Sequence, residues 1–569
     1  MGAAWKHARS SGEGFGLLGK HVVIHTIGSL GDLYPFLRIG QALKVRGHRV
    51  TVAALGHQKE KVEQAGLDFH PVRPDVSGVD EAEIVARIMD PRYGPEYLHR
   101  HFLYPAIADT FHDLLAITHD ADLLLSGSVA YAAPIVAAMT GVPWVSSALQ
   151  PGIMFSAYDP PVPSPAPGLD RLRVLGPLYG KLLRRLARKT VHQWAGPVYR
   201  LRSAMGLPRG GEPIFEAGVS PLLHLVLFSE RFGKPCRDWP RSAQQCGFVF
   251  DPAAPKVFSD IPLSAEFAQP DPPPRLPPEA PPDVETDIET DIETDIETGI
   301  ETDVETDVGP DLAPDTGGTA LAEVAIEPLI RIAADVPAEA PAEAAAAGVS
   351  SAPPGETPEQ RLERFTYAPQ RPLLFTLGSA ATKIAGDFFV TAIELAQTVG
   401  RNAVLIGEDA PESWRLAGEP EHCVAFHFLP YEEVFGRAAL VIHQGGIGTT
   451  AEALRAGVPM LVVPFGADQY DNAERVRRLG SGLWLPRKRF DMKHTPPLLG
   501  RLLDTPSFAE QAVSTAAAVR AEDGLKQAIQ RLETVLNPPP EPVAAKPAPP
   551  LRRRTVAGRS TGGRRAGAR

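Results

Sequence analysis

Cysteine is scarce in this chain: Cys236, Cys246 and Cys423 are the only three in 569 residues. Their scatter excludes a disulfide framework and a thiolate zinc site, both of which need closer and more regular spacing. A reducing compartment is therefore expected. Long apolar runs are missing as well; none reaches about eighteen residues, so no membrane-spanning helix is expected. The first twenty residues lack the charged start, apolar core and cleavage site of an export signal, and Met1-Gly2 is not followed by a myristoylation pattern. A cytoplasmic location follows, with peripheral attachment to the inner face of the membrane as its alternative. A surplus of positive charge is absent too, with 57 Lys and Arg against 68 Asp and Glu. That balance argues against nucleic acid as a partner.

What is present is a pattern of short, nearly continuous apolar strands alternating with helices, the mark of parallel sheets covered on both faces. From residue 20, HVVIHTIG, GSLGDLYP, FLRIGQALKVRGH and RVTVAAL read as strand, loop, helix and strand. ADLLLSGS, YAAPIVAAMTG, PWVSSAL and LHLVLFSE continue the alternation to about residue 250. It resumes at 369 with PLLFTLGS and runs to a last helix near 507–536. The expected division is a flexible N-terminus at 1–19, an α/β domain at 20–250, a linker at 251–368, a second α/β domain at 369–536 and a tail at 537–569. The linker carries DVETDIETDIETDIETGIETDVETDV, with acids throughout and no basic residue, and the tail is rich in Pro and Arg. Neither can bury enough apolar surface to offset chain entropy, so both are expected to be disordered.

The segment VIHQGGIGTTAEALRAGVPMLVVPFGADQYDN at 441–472 concentrates the chemistry. A strand delivers Gln444, Gly445, Gly446 and Gly448 to the start of a helix, where backbone N–H groups lack intrahelical partners and glycines let an anion come close. Thr449 or Thr450 adds a hydroxyl, and Glu452, one turn further on, suits the hydroxyls of a ribose. The next strand brings Asp468 and Gln469 to the same edge, where they can bind a sugar. The spacing is neither a dinucleotide fingerprint nor a P-loop.

These residues carry a resemblance. HQGGIGTTAEALRAGVPMLVVPFGADQYDNAERVRRLG is similar to the donor-site signature of the GT-B glycosyltransferases that use nucleotide-diphosphate sugars. GSLGDLYPFLRIGQALKVRGHRVTVA resembles the opening of their acceptor domain, and FTLGS the first strand and loop of their donor domain. Within that group SALQPGIMFSAYDPPVPSP and DWPRSAQQCGFVFD look nearest to the catalytic chain of bacterial rhamnolipid rhamnosyltransferases. The resemblance implies two Rossmann-like domains facing a cleft. It implies that Gly445, Gly446, Gly448 and Thr449 lie at the donor diphosphate, with Gly378, Ser379 and Asn472 also in the donor site. Glu452 would then hold the ribose, Phe428 the base, and Asp468 with Gln469 the sugar. Many members carry His immediately before the paired glycines; here that position is Gln444, with His443 one residue earlier, and either could meet the diphosphate.

Asp32, in the glycine loop after the first strand, falls where the similar enzymes keep their catalytic base; capping of the following helix is its structural alternative. His25, His101 and His112 are the other candidate bases. The expected reaction is inverting transfer of a hexose or deoxyhexose from a UDP- or dTDP-sugar to a hydrophobic hydroxylated acceptor. The nucleotide sugar serves as co-substrate, and no further cofactor and no metal are required. Asp120-Ala121-Asp122 reads as strand entry rather than as a metal pair. Met154, Phe155 and Tyr158 are candidates to line the acceptor pocket. The basic and apolar alternation of KLLRRLARK at 181–189 suggests peripheral membrane contact, and the linker or tail could take a protein partner. Two other readings suit the same fold: a nucleotide-sugar epimerase, or a non-catalytic subunit that binds the nucleotide sugar.

Overall fold

The computed structural model describes residues 19–75, 80–251 and 356–538. The acidic repeats, the first eighteen residues and the Arg-rich tail lie outside the described residues.

Two wholly parallel sheets organise the chain. The first has seven strands in the order β3-β2-β1-β4-β5-β6-β7: β1 His21–His25, β2 Arg49–Ala54, β3 Asp68–Pro71, β4 Leu123–Ser126, β5 Trp144–Ala148, β6 Leu223–Val226 and β7 Ala243–Gln245. The second has six, in the order β10-β9-β8-β11-β12-β13: β8 Leu373–Thr376, β9 Ala403–Ile406, β10 Cys423–Phe426, β11 Leu440–His443, β12 Met460–Val462 and β13 Gly482–Trp484. The central strands are fully buried, as their apolar runs foretold: His21–His25, Leu123–Ser126, Leu373–Thr376 and Leu440–His443 show no exposed position. Each order reverses once, between β1 and β4 and between β8 and β11, and open α/β sheets bind ligands beyond the carboxyl ends of strands at such points. The loops Thr26–Ser29 and Gln444–Gly446 both lie there.

Two boundaries differ from the sequence reading. The second domain begins earlier than residue 369, with the helix Pro358–Thr366. Thr357 and Gln360 form a capping box at its start, and Phe365 is buried in the core of that domain. The expected last helix is two helices, Pro506–Ala521 and Gly524–Leu536. The break is the point where the chain crosses back to the first domain. Glu522 accepts hydrogen bonds there from the Ser229 hydroxyl (2.9 Å) and the Glu230 N–H (3.2 Å), and Asp523 caps the new helix through the Lys526 N–H (3.0 Å). Ala528, Ile529, Leu532 and Leu536 then pack in one cluster with Val22, Ile24 and Leu125 of the first sheet and Leu37 of the helix Leu30–Val45. Among the described residues no helix is long and apolar enough to cross a membrane.

Candidate active site

The cleft is built from the two switch-point loops. β11 ends at His443, and the chain turns through Gly445, whose φ of 88° is costly for any residue with a Cβ. It then enters the helix Ile447–Ala456, whose first turn offers free N–H groups to the cleft. His443 does not face that space. It is fully buried, its Nδ1 accepts from the Gly445 N–H (3.0 Å), and burial pushes its pKa down to about 3, so it is a neutral brace beneath the turn. Gln444 takes the position above the turn. Its Nε2 lies 2.3 Å from where a Cβ on Gly378 would stand and 2.7 Å from the equivalent point on Gly446, so the amide fills the gap between the β8 and β11 loops. Ser379 follows Gly378, half-buried. Thr449 is buried, and Tyr431, whose hydroxyl meets Thr376 Oγ1 at 2.9 Å, packs beside it.

The loop after β12 reaches the same edge. Asp468 stands at the N-cap position of the helix Gln469–Arg478, and its side chain accepts from Asn472 Nδ2 (2.7 Å), which also donates to the Gly445 carbonyl (2.9 Å). Asn472 therefore ties the Asp468 carboxylate to the glycine turn from a fully buried position. Gln469 is turned back on its own loop: its Oε1 accepts from the N–H groups of Phe465 (2.8 Å) and Gly466 (3.2 Å), and its amide donates to Met89 Sδ (3.8 Å). Glu452 lies one turn into its helix, 2.7 Å from Arg455, and burial raises its pKa to about 7 against the pull of that arginine. Phe428, after β10, is 72% exposed.

From the opposite domain, Gly31 approaches Gly448 to about one van der Waals contact, its Cα 4.0 Å from a Cβ built there. Asp32 stands at the third position of the helix Leu30–Val45 and does form the capping box, accepting from Ser29 N–H (2.9 Å) and Oγ (3.2 Å). Both bonds fall on Oδ2, so capping and service to the cleft are compatible. Burial raises the Asp32 pKa despite those two bonds. It also raises that of Asp468, to about 7, and the negative charge of Asp32 adds to the effect. The other candidate bases are elsewhere. His25 is buried within β1, bonded to the Ala53 carbonyl and held at a pKa of about 4. His101 stacks on Tyr97, and His112 sits on the exposed side of the helix Ile107–Thr118. Asp120 and Asp122 bond His21 at the start of β1, at the amino end of the sheet.

Met154 and Phe155 line a cavity of about 440 Å³ in the first domain. Ser128 and Ser147, near the carboxyl ends of β4 and β5, border it, as do Arg184, Phe215 and His224. Tyr158 does not line it; its ring carries the Arg237 guanidinium at 4.3 Å.

Comparison with known proteins bears on this arrangement. Residues 22–137 match the glycosyltransferase family 28 N-terminal domain, and residues 396–535 match the erythromycin biosynthesis protein CIII-like C-terminal domain. The O-mycaminosyltylonolide 6-deoxyallosyltransferase of Streptomyces fradiae is 24% identical over 522 residues, 90% of this chain and 96% of that protein. The chain is a glycosyltransferase with the GT-B fold, its two domains similar to those of the family 28 and erythromycin CIII-like enzymes. Two solved structures share its fold. The calicheamicin glycosyltransferase CalG4 superposes with a TM-score of 0.54 at 15% identity, covering 91% of this chain and 98% of that one. The spinosyn rhamnosyltransferase SpnG complexed with thymidine diphosphate gives 0.51 at 16% identity, covering 90% and 100%.

Several residues of this glycosyltransferase's cleft carried no legible signal. Met89 approaches so closely that its carbonyl oxygen is 2.0 Å from where a Cβ on Gly466 would stand, and Lys383 pairs with Glu81 (3.5 Å) and Glu408 (3.2 Å). Arg475, 3% exposed, bonds Asp471 (2.8 Å) and, across the domain boundary, Asp159 (2.5 Å). An Arg four residues after an Asp on a helix is the one trace of this cluster in the sequence.

Proposed function

We propose that the protein transfers a hexose or deoxyhexose from a dTDP- or UDP-sugar, with inversion, to a hydroxyl of a hydrophobic polyketide-like or lipid-like acceptor. The observation that carries this reading is the pairing of Asp32 and Asp468 across a cleft floored by the glycine turn. In the proposed step the Asp32 carboxylate takes the acceptor O–H proton while that oxygen attacks the anomeric carbon. The bond from that carbon to the diphosphate oxygen breaks, and the nucleoside diphosphate leaves with the electron pair. The amides at the start of the Ile447–Ala456 helix, together with Gln444, stabilise the charge that grows on the leaving group. The sugar rests against Asp468, which Asn472 orients; Glu452 meets the ribose and Phe428 the base. Met154 and Phe155 contact the acceptor.

The Streptomyces fradiae relative is named for a deoxysugar transferred to a tylonolide, and SpnG is a spinosyn rhamnosyltransferase with thymidine diphosphate bound. The first favours a deoxysugar and a polyketide-like acceptor, the second a thymidine diphosphate donor. The resemblance to rhamnolipid rhamnosyltransferases keeps hydroxylated lipids in the acceptor panel.

The test is a panel of dTDP- and UDP-sugars against polyketide and lipid alcohols, followed by mass spectrometry, on wild type and Asp32→Asn. One sugar mass gained by an acceptor, in a product of inverted anomeric configuration and lost in the variant, supports the reading. Release of an altered free sugar without acceptor would favour the epimerase, and tight donor binding without turnover a non-catalytic subunit.

A further inference from the structure

The helix Pro177–His192 is divided by side. Tyr179 and Gly180 are buried, and Leu183 and Ala187 half-buried, against the first domain. The opposite side presents Leu178, Leu182 and Leu186, exposed by 74%, 57% and 55%. Alternating with them along the same side are Lys181, Arg185 and Lys189, all exposed. The helix contains no acidic residue. Its remaining arginines are engaged, Arg184 with Asp238 (3.8 Å) and Arg188 with Glu216 (2.5 Å). The three outer cations have no ion pair among the described residues. Val174 and Leu175, exposed in the turn just before, lengthen the apolar stripe.

We infer that this face docks the enzyme on an anionic lipid surface. Leucines spaced four apart on the outside of a helix leave apolar area in water that the fold does not need there. An apolar protein partner would cover the leucines but desolvate three unpaired cations at a cost; an acidic partner would pair the cations and leave the leucines in water. A bilayer surface satisfies both, because the leucines enter the headgroup boundary while the Lys and Arg stems reach back to lipid phosphates. Arg184 of this helix also lines the 440 Å³ cavity. Docking brings the rim of that cavity to the membrane, the phase in which a hydrophobic acceptor is concentrated.

The experiment is vesicle flotation of the full chain with phosphatidylcholine alone and with one third phosphatidylglycerol added, at low and high salt. Two variants accompany it, Leu178→Ser/Leu182→Ser/Leu186→Ser and Lys181→Glu/Arg185→Glu/Lys189→Glu, each checked by circular dichroism and thermal melting. Wild type should partition onto the anionic vesicles at least about tenfold better than onto neutral ones, with salt weakening it. Both variants should lose that binding while keeping donor affinity and the wild-type melt. No flotation of wild type with anionic vesicles overturns the inference. Flotation unchanged in both folded variants also overturns it, by placing the contact elsewhere in the chain, such as its Arg-rich tail. A wild-type dimer that the leucine variant turns into monomers, with no vesicle binding by either, would make the face a subunit interface instead. Donor binding reads the active-site proposal separately, so either can fail alone.

Discussion

Asp32 and Asp468 face each other across the cleft, Asp32 at the third position of the helix that follows β1 and Asp468 at the N-cap of the helix that follows β12. Each is held on one side by a local donor: Ser29 binds Asp32, and Asn472 binds Asp468. Burial raises both, and the charge of Asp32 helps lift Asp468 to about 7. Two carboxyls so coupled titrate as a pair.

Asp32→Asn should lower kcat by about 10²–10⁴-fold, the usual worth of a general base, with nucleotide affinity little changed. Because the base must be ionised, kcat/KM should rise with pH along a limb lying above the ordinary aspartate range. Asp468→Asn removes a neighbouring negative charge and should move that limb to lower pH, at reduced kcat. The stability sign is opposite to that of a salt-bridged carboxylate. A raised folded-state pKa means that the native protein binds more protons than the unfolded chain, for Asp468 between about pH 4 and 7, so these groups make it less stable as pH rises. At pH 8, Asp468→Asn should therefore gain on the order of 1 kcal/mol in urea denaturation, after allowance for solvent screening.

Gln444 and His443 should separate cleanly by measurement. Gln444→Ala removes the amide that lies over the glycine turn, and thymidine diphosphate affinity should fall about five- to tenfold in calorimetry with little change in melting. His443→Ala removes the acceptor of the Gly445 N–H from a dry site. It should cost about 1–3 kcal/mol of stability. Equal loss of affinity in two stable variants would contradict this division.

The fold was legible because parallel sheets buried on both faces write themselves as short apolar runs, and the glycine segment stood out because a turn at positive φ leading into a helix start calls for glycine. Asp32 was legible both as cap and as candidate base; the structure shows the cap, made through Oδ2, and leaves Oδ1 outside those two bonds. What escaped were relations across the domain boundary. Nothing near Met89 or Asp159 marks them as neighbours of the second domain, since such contacts depend on how two separate sheets are set against each other. The return of the last helix was hidden for a similar reason: its leucine spacing declares an apolar face but not which sheet receives it.

That return has a measurable consequence. Leu532 is fully buried beside first-sheet residues, though it comes from the far end of the chain. Leu532→Ala should cost about 2–5 kcal/mol, as for other buried leucine truncations. Because the helix ties the two domains, hydrogen exchange should show the loosening in β1 and β4 rather than around β11. Loss of protection confined to the second domain would be inconsistent with this packing.

Arg475 links the two halves of the proposed chemistry. It lies on the helix that Asp468 begins, and its guanidinium is held by Asp471 of the same helix and Asp159 of the loop that follows Met154 and Phe155. Burial alone would lower its pKa, but the two carboxylates outweigh that and raise it, while Arg475 and Arg478 hold Asp159 below the usual range. Asp471 is further fixed by the Val162 N–H (3.0 Å). Arg475→Met would strand Asp471 with its charge buried, which should cost about 3–5 kcal/mol. Adding Asp471→Asn removes that stranded charge, so the double variant should recover part of the loss in urea denaturation, as expected for coupled neighbours. Its kinetics should then show what the cluster does beyond stability. With the 151–162 loop released from the helix, acceptor KM should rise severalfold while thymidine diphosphate affinity stays near wild type, because the glycine turn and Gln444 are anchored independently. A parallel loss of donor affinity would mean that the cluster sets the closure of the whole cleft rather than the acceptor side alone.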